Sequence, residues 1–196
     1  MDVLTLLHGR ASVPADELDA PAPDGEALEA ILRAGTSAPD HGGLRPWRFI
    51  LIRGDARARL GEVFARALQA RRPDADADEL ERQRAKALRA PLIIAVAARV
   101  DPDNAKVPVI EQLLSAGAAT QQMALAANAL GFGAVWLTGP NAHDATVAEA
   151  LGLGFDDRLV ALLHLGTPRH GFPPRTRPDP GAFVTEWHEP CALETL

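Results

Sequence analysis

"PVIEQLLSAGAATQQMALAANALGFGAVWLT", residues 108–138, holds a long helix, a stop and a strand in one stretch. Pro108 opens the helix, which runs to about Leu130. Its middle, SAGAAT, is made of small residues on every face. A helix that is small and apolar all round belongs at the centre of a fold, where other backbones approach it closely. Gly131-Phe132-Gly133 ends it, and residues 134–138 read as a strand.

Working upstream, Pro91 opens LIIAVAAR, an apolar β-rich run that reads as a buried strand. Residues 48–52 alternate and form another strand, closed by Gly54-Asp55. Between them, residues 56–70 are helical, with Leu60, Val63, Phe64 and Leu68 on one side. Residues 71–89 are the most charged stretch. They read as a solvated helix face, with a mobile cover over a site as the alternative. Nearer the start, Val3, Leu4, Leu6 and Leu7 predict a short helix ending near Gly9, and residues 13–25 read as a connecting loop. Asp24 is placed to cap the next helix, whose apolar face is Leu28, Ile31 and Leu32 and whose expected stop is Gly35.

Downstream, His143 or Asp144 caps a short helix to Leu151, and residues 158–165 form a fourth strand. After Gly166 the chain turns proline-rich. Phe172, Phe183 and Trp187 favour docking of this extended C-terminal segment, residues 167–196, on the domain or on its partner. The sum is one mixed domain over residues 1–196, in which helices cover a sheet of about four strands.

The 196 residues are 47% hydrophobic and 23% charged, ordinary values for a globular domain. A net charge of −6 argues against a nucleic-acid surface, which is usually basic. No apolar run approaches the ~18 residues of a membrane span. MDVLTLLHGR carries an acid where a signal peptide would be positive, so the expectation is a cytoplasmic protein. The lone cysteine, Cys191, rules out an internal disulfide framework and reads as incidental.

Several chemistries lack their signatures. The six histidines have no partners at metal-ligand spacing, so no metal site is expected. There is no phosphate loop of the GxxxxGK[ST] type and no GxSxG elbow. Gly152-Leu153-Gly154 follows a helix and lacks a third glycine, so it is a turn and not a dinucleotide fingerprint. Nothing marks a catalytic side chain.

Three separated loops share another theme. Arg10-Ala11-Ser12 offers a delocalised cation and a hydroxyl that can converge on a phosphate. APDHGGLRPWRF, residues 38–49, offers bare backbone at Gly42-Gly43, a versatile imidazole at His41 and positive charge at Arg45. Its Pro46-Trp47 reads as a buried packing wedge. Trp136-Leu137-Thr138-Gly139-Pro140 is a strand end where a backbone N–H can face a ligand.

With these blocks in order, the chain resembles the nitroreductase family of FMN-dependent oxidoreductases, and within it a short, single-domain bacterial group. The likeness runs from MDVLTLLHGRAS through ILRAGTSAPDH, RPWRFILI, RAPLIIAVAA, KVPVIEQLLSAGAATQQMALAANALGFGAVW and LHLGTP to PDPGAFV. It implies an α+β fold with a central, mostly antiparallel sheet flanked by helices. It also implies a homodimer formed through long helices, with FMN at the subunit interface. The implied cycle is ping-pong: NADH or NADPH reduces the flavin and leaves, then an acceptor such as a nitroaromatic or quinone takes the electrons. Arg10 and Ser12 match the phosphate-binding positions; His41 and the loop through Gly43 to Arg45 match the segment beside the isoalloxazine; Trp136, Leu137, Thr138 and Gly139 match the segment contacting the ring. Arg175 and Arg177, in Pro174-Arg175-Thr176-Arg177, resemble a basic motif that some members use on the phosphate.

The chain also departs from the pattern. Ala11 stands where the family often has a second arginine, and Ser37 where the short group has another. Gly43 and Arg45 replace an Asn and a Gln common before Pro-Trp, and Leu137-Thr138 replaces Arg-Ser. Two alternatives stay open: another redox reaction on the same flavin, such as dehydrogenation or dehalogenation, and a flavin-binding protein with weak catalysis, which the lost charge at Ala11 and Ser37 supports. Arg175 or Arg177 is the expected compensation.

Overall fold

Every strand pairing in the sheet is antiparallel. The computed structural model describes residues 2–187; Cys191 lies outside them. The elements are α1 (Val3–Gly9), β1 (Leu18–Asp19), α2 (Gly25–Thr36), β2 (Trp47–Arg53), α3 (Asp55–Arg71), α4 (Ala77–Lys86), β3 (Leu92–Ala98), α5 (Val109–Ala129), β4 (Gly133–Leu137), α6 (Gly139–Ala142), α7 (Ala145–Ala150) and β5 (Arg158–Pro168). Strands β2, β3, β5 and β4 lie side by side in that order, and β1 pairs with the far end of β5.

The central strand β3 shows why helices cover both faces. All seven of its residues are buried. Leu92, Ile94 and Val96 pack with Ile31 of α2 and Met123 of α5, while Ile93 and Ala95 pack with Phe64 of α3 and Val147 of α7. Alternate side chains feed alternate cores, so the strand reads as an unbroken apolar run. The small residues expected at the centre of α5 serve close approach: Ala116, Ala119 and Ala127 are fully buried.

Five strands form where about four were expected. The addition is β1, inside the stretch read as a connecting loop. Two residues carry no periodicity, and β1 exists only because Leu18 and Asp19 meet Pro168 and Thr167. The same pairing carries β5 to Pro168, three residues beyond its expected end.

Two local signals took another use. Gly35 does not end α2; it sits inside the helix, where a Cβ would lie 2.8 Å from Met123 Cγ and 2.9 Å from Phe49 Cζ. Asp24 occupies the cap position without making the cap bond, and its carboxylate accepts from Arg53 Nη1 at 3.1 Å. At α7 the cap is Asp144, which accepts from Thr146 N.

The charged stretch takes the solvated-helix form. A reciprocal capping box of Asp76 and Glu79 starts α4, and none of the helix's residues is buried. It is seated on α3 through Gly61, where a Cβ would fall 2.7 Å from the Arg84 carbonyl oxygen. Among the described residues, no helix is long and apolar enough to cross a membrane.

Candidate functional site

Arg10 follows α1 directly, and Ser12 leads into the core, where Val13 N donates to Ala134 O at 3.1 Å. Arg10 Nη1 reaches Ser12 Oγ at 3.2 Å, so the cation and hydroxyl converge as their spacing suggested. Ala11, between them, is buried. The proline-rich tail returns to this point. Arg175 Nη2 donates to Ser12 O at 3.2 Å. Arg177 Nε donates to His8 O at 3.3 Å, and its Nη2 to Arg10 O. Three guanidiniums from opposite ends of the chain therefore share one small region. Partial burial lowers the pKa of Arg10, and the neighbouring charges of Arg177 and Arg175 lower it further. Crowding of this kind favours an anion.

The loop between α2 and β2 has a different build. Gly42 and Gly43 take φ of +72° and +69°, a region a side chain disfavours, and Arg45 follows them at +49°. Asp40 holds the turn, its Oδ2 accepting from Arg45 N at 2.7 Å. The loop residues are exposed, while Pro46 and Trp47 are buried. Trp47 packs with Ala38, Ala98, Ala116 and Ala119, the packing role expected of it. His41 Nδ1 meets Glu111 Oε2 on the first turn of α5. Ser37 caps the end of α2 and spends its hydroxyl on Arg33 O at 2.8 Å.

The third segment lies at the end of β4. Trp136 Nε1 donates to Val160 O at 3.2 Å, and the indole stands over Gly117 of α5. Leu137, Thr138 and Gly139 are exposed, and Gly139 turns the chain with φ +68°. Gly117 is six residues after Glu111, about 9 Å along the helix axis. The His41 loop and the Trp136–Gly139 segment thus lean on the same helix. The structure joins Arg10, Ser12, Arg175 and Arg177 directly, and places the other two segments along α5 without a hydrogen bond to that cluster. Glu111 was missed in the sequence, where it reads as an acid suited to a helix's first turn.

A cluster of cations with a hydroxyl, plus bare exposed backbone, fits a group with an anionic tail and a flat head. FMN is such a group, and the residues present fit it.

The architecture is that of nitroreductase-like proteins. A solved structure from Desulfovibrio desulfuricans, described as a putative nitroreductase in complex with FMN, superposes with a TM-score of 0.72 at 29% identity, covering 97% of this chain and 99% of that one. The family model described as "Nitroreductase family" matches residues 10–167, and the chain belongs to that family of oxidoreductases. The Escherichia coli K12 protein "Putative NAD(P)H nitroreductase YdjA" is 43% identical over 94% of this chain and 99% of its own length. A "Putative NAD(P)H nitroreductase" of Haemophilus influenzae is 42% identical over 85% of this chain and 89% of its own.

Proposed function

We propose that the protein is an FMN-dependent NAD(P)H oxidoreductase that works as a homodimer. The observation that carries the reading is the convergence of Arg10, Arg175 and Arg177 on residues 8–12. The chemistry FMN supplies when bound is two-electron transfer, from NAD(P)H in one half-reaction and to a nitroaromatic, quinone or similar acceptor in the other.

The protein's tasks are to bind, orient and expose. Arg10 and Ser12 hold the phosphate, with Arg175 and Arg177 supplying the cations that positions 11 and 37 lack. That compensation favours a working enzyme over a weakened flavin binder. The backbone at Gly42, Gly43 and Thr138–Gly139 provides donors without bulk at the ring edge. His41, steered by Glu111, offers an imidazole there. Trp136 and Leu137 wall the head group.

The paired form is supported by an unpartnered apolar surface. Ile110 and Leu114, one turn apart on α5, are 60% and 63% exposed. On α1, Val3, Leu4 and Leu7 are exposed as well. Large apolar side chains left exposed on a helix in this way are suited to an interface.

The test is a spectrum of the purified protein followed by anaerobic NAD(P)H titration. The expected result is a yellow protein whose flavin bands bleach on titration and return when a quinone or nitro compound is added. A protein that stays colourless after saturation with FMN overturns the proposal.

A further inference from the structure

A cleft of about 470 Å³ opens beside the His41–Arg45 loop, where β2 begins and β3 ends. Leu44 of that loop lines it, together with Arg48, Arg99, Asp101 and Gln112. Nothing in the phosphate cluster reaches into it.

The cleft concentrates positive charge by sheet geometry. Arg48 pairs with Ala97, and one step on, Arg99 N donates to Pro46 O at 2.7 Å. Arg99 therefore stands opposite Pro46, two residues from Arg48, and both side chains fall on the same face as diagonal neighbours about 7–8 Å apart. Like charges placed this way repel, and an anion between them removes the penalty.

The guanidinium of Arg48 is fixed in place. Its Nη1 donates to Trp47 O at 2.7 Å and Arg45 O at 3.1 Å. Among the described residues its Nε and Nη2 make no hydrogen bond.

The rim is equally set. Gln112, buried on α5, receives Asp101 N at 2.8 Å and donates to Asp101 O at 2.8 Å and Val107 O at 2.9 Å. The Asp101 carboxylate is engaged within its own turn, accepting from Asp103 N and Asn104 Nδ2. It is directed to that turn and not to the arginines.

Leu44 lines the cleft and Arg45 O receives Arg48 Nη1, so the cleft adjoins the loop assigned to the flavin ring. A dinucleotide with its nicotinamide at that ring would be long enough to set its adenosine end in a neighbouring cleft. We propose that Arg48 and Arg99 bind the 2′-phosphate of NADPH and so select NADPH over NADH. This inference rests on the NAD(P)H reading above.

Two measurements test it. In the FMN-loaded enzyme, Arg99→Gln and Arg48→Gln should each raise the KM for NADPH about tenfold or more, the loss of one charge-assisted hydrogen bond, with the KM for NADH within about twofold of wild type. Arg99→Lys should recover part of the loss. By calorimetry, wild type should bind adenosine 2′,5′-bisphosphate more tightly than adenosine 5′-monophosphate, and the variants should lose that difference. An equal rise in KM for both dinucleotides assigns the arginines to the pyrophosphate and overturns the proposal, as does no change in either. A wild-type protein that shows no preference between the two adenosine nucleotides overturns it too. A preserved preference in a protein that neither dinucleotide reduces leaves this site standing and overturns the catalytic reading alone.

Discussion

Replacing Arg177 by alanine should weaken FMN binding far more than it weakens the fold. In the free protein Arg177 donates to two backbone carbonyls on an exposed surface, and its charge crowds the partly buried Arg10. Losing the two bonds costs stability while relieving the crowding restores some, so the net change in the free protein should stay within about 1 kcal/mol. The complex has no such offset. A phosphate charge about 5 Å from a guanidinium gains about 3 kcal/mol at an effective dielectric near 20. With screening, one charge-assisted hydrogen bond is worth about 1.5–3 kcal/mol, or about 10- to 150-fold in Kd. The same follows for Arg175→Ala, because Arg175 is braced on Ser12 itself. Fluorescence titration of FMN gives Kd directly, and the thermal shift gives a second readout. FMN at 100 times the wild-type Kd stabilises by about 2.7 kcal/mol; a fiftyfold weaker variant at the same concentration keeps about 0.6 kcal/mol. Arg169→Ala is the control: that guanidinium, on the same tail, makes two bonds to Asp19 at 2.8 and 2.9 Å, and FMN affinity should not change. Wild-type Kd in both Arg175→Ala and Arg177→Ala would refute the assignment of the tail to the phosphate.

Gly35→Val should destabilise by about 1–3 kcal/mol in urea unfolding, because a side chain there meets Met123 and Phe49 inside a packed core; an unchanged midpoint contradicts the close approach of α2 and α5. Leu114→Asp puts a charge on the exposed face of α5 and should give a monomer by light scattering with reduced FMN content, whereas a wild type already monomeric at micromolar concentration removes the homodimer. His164 is 3% exposed, and burial holds its pKa below the ordinary imidazole value, opposed by the carbonyls of Leu162 and Lys86. The unfolded chain therefore binds this proton first, so stability should be full above about pH 6.5 and fall as the pH drops below it. Asp19, whose pKa is lowered by its hydrogen bonds to Arg169, weakens the fold only in a more acid range. His164→Asn should flatten the upper window in urea titrations, and an undiminished slope there assigns it to other groups.

What could be read from the sequence was what repeats along it. β3 and α5 are long enough to average local noise; the burial of β3 follows from its unbroken apolar composition, and that of the α5 inner face from its small residues. Where a signal is a single residue, it is ambiguous. Gly35 looks the same as a helix stop or as a close contact, and only the position of Met123 decides. Asp24 offers one carboxylate to two donors, and Arg53, 29 residues away, takes it. The site divides in the same way. Arg10-x-Ser12 is a local spacing and was legible without the fold. The approach of Arg177 to Arg10 joins positions 167 residues apart in the chain, has no period, and could be anticipated only through family resemblance. Glu111 carried no signal of its own, because an acid in a helix's first turn already has a local explanation.

The position of α5 would tie the proposed association to cofactor binding. Its buried face is mostly small, which lets the sheet and α2 approach, and its opposite face leaves Ile110 and Leu114 uncovered. Glu111, which steers His41, lies between those two residues in sequence, and Gly117, which supports Trp136, lies one turn beyond Leu114. A copy of the chain seated on Ile110 and Leu114 therefore sits beside both segments assigned to the ring. Dissociation would expose the apolar face and free one side of the ring site in the same step. If the proposed pair forms on this face, FMN should bind the pair more tightly than the single chain and, by linkage, should tighten the pair by the same factor.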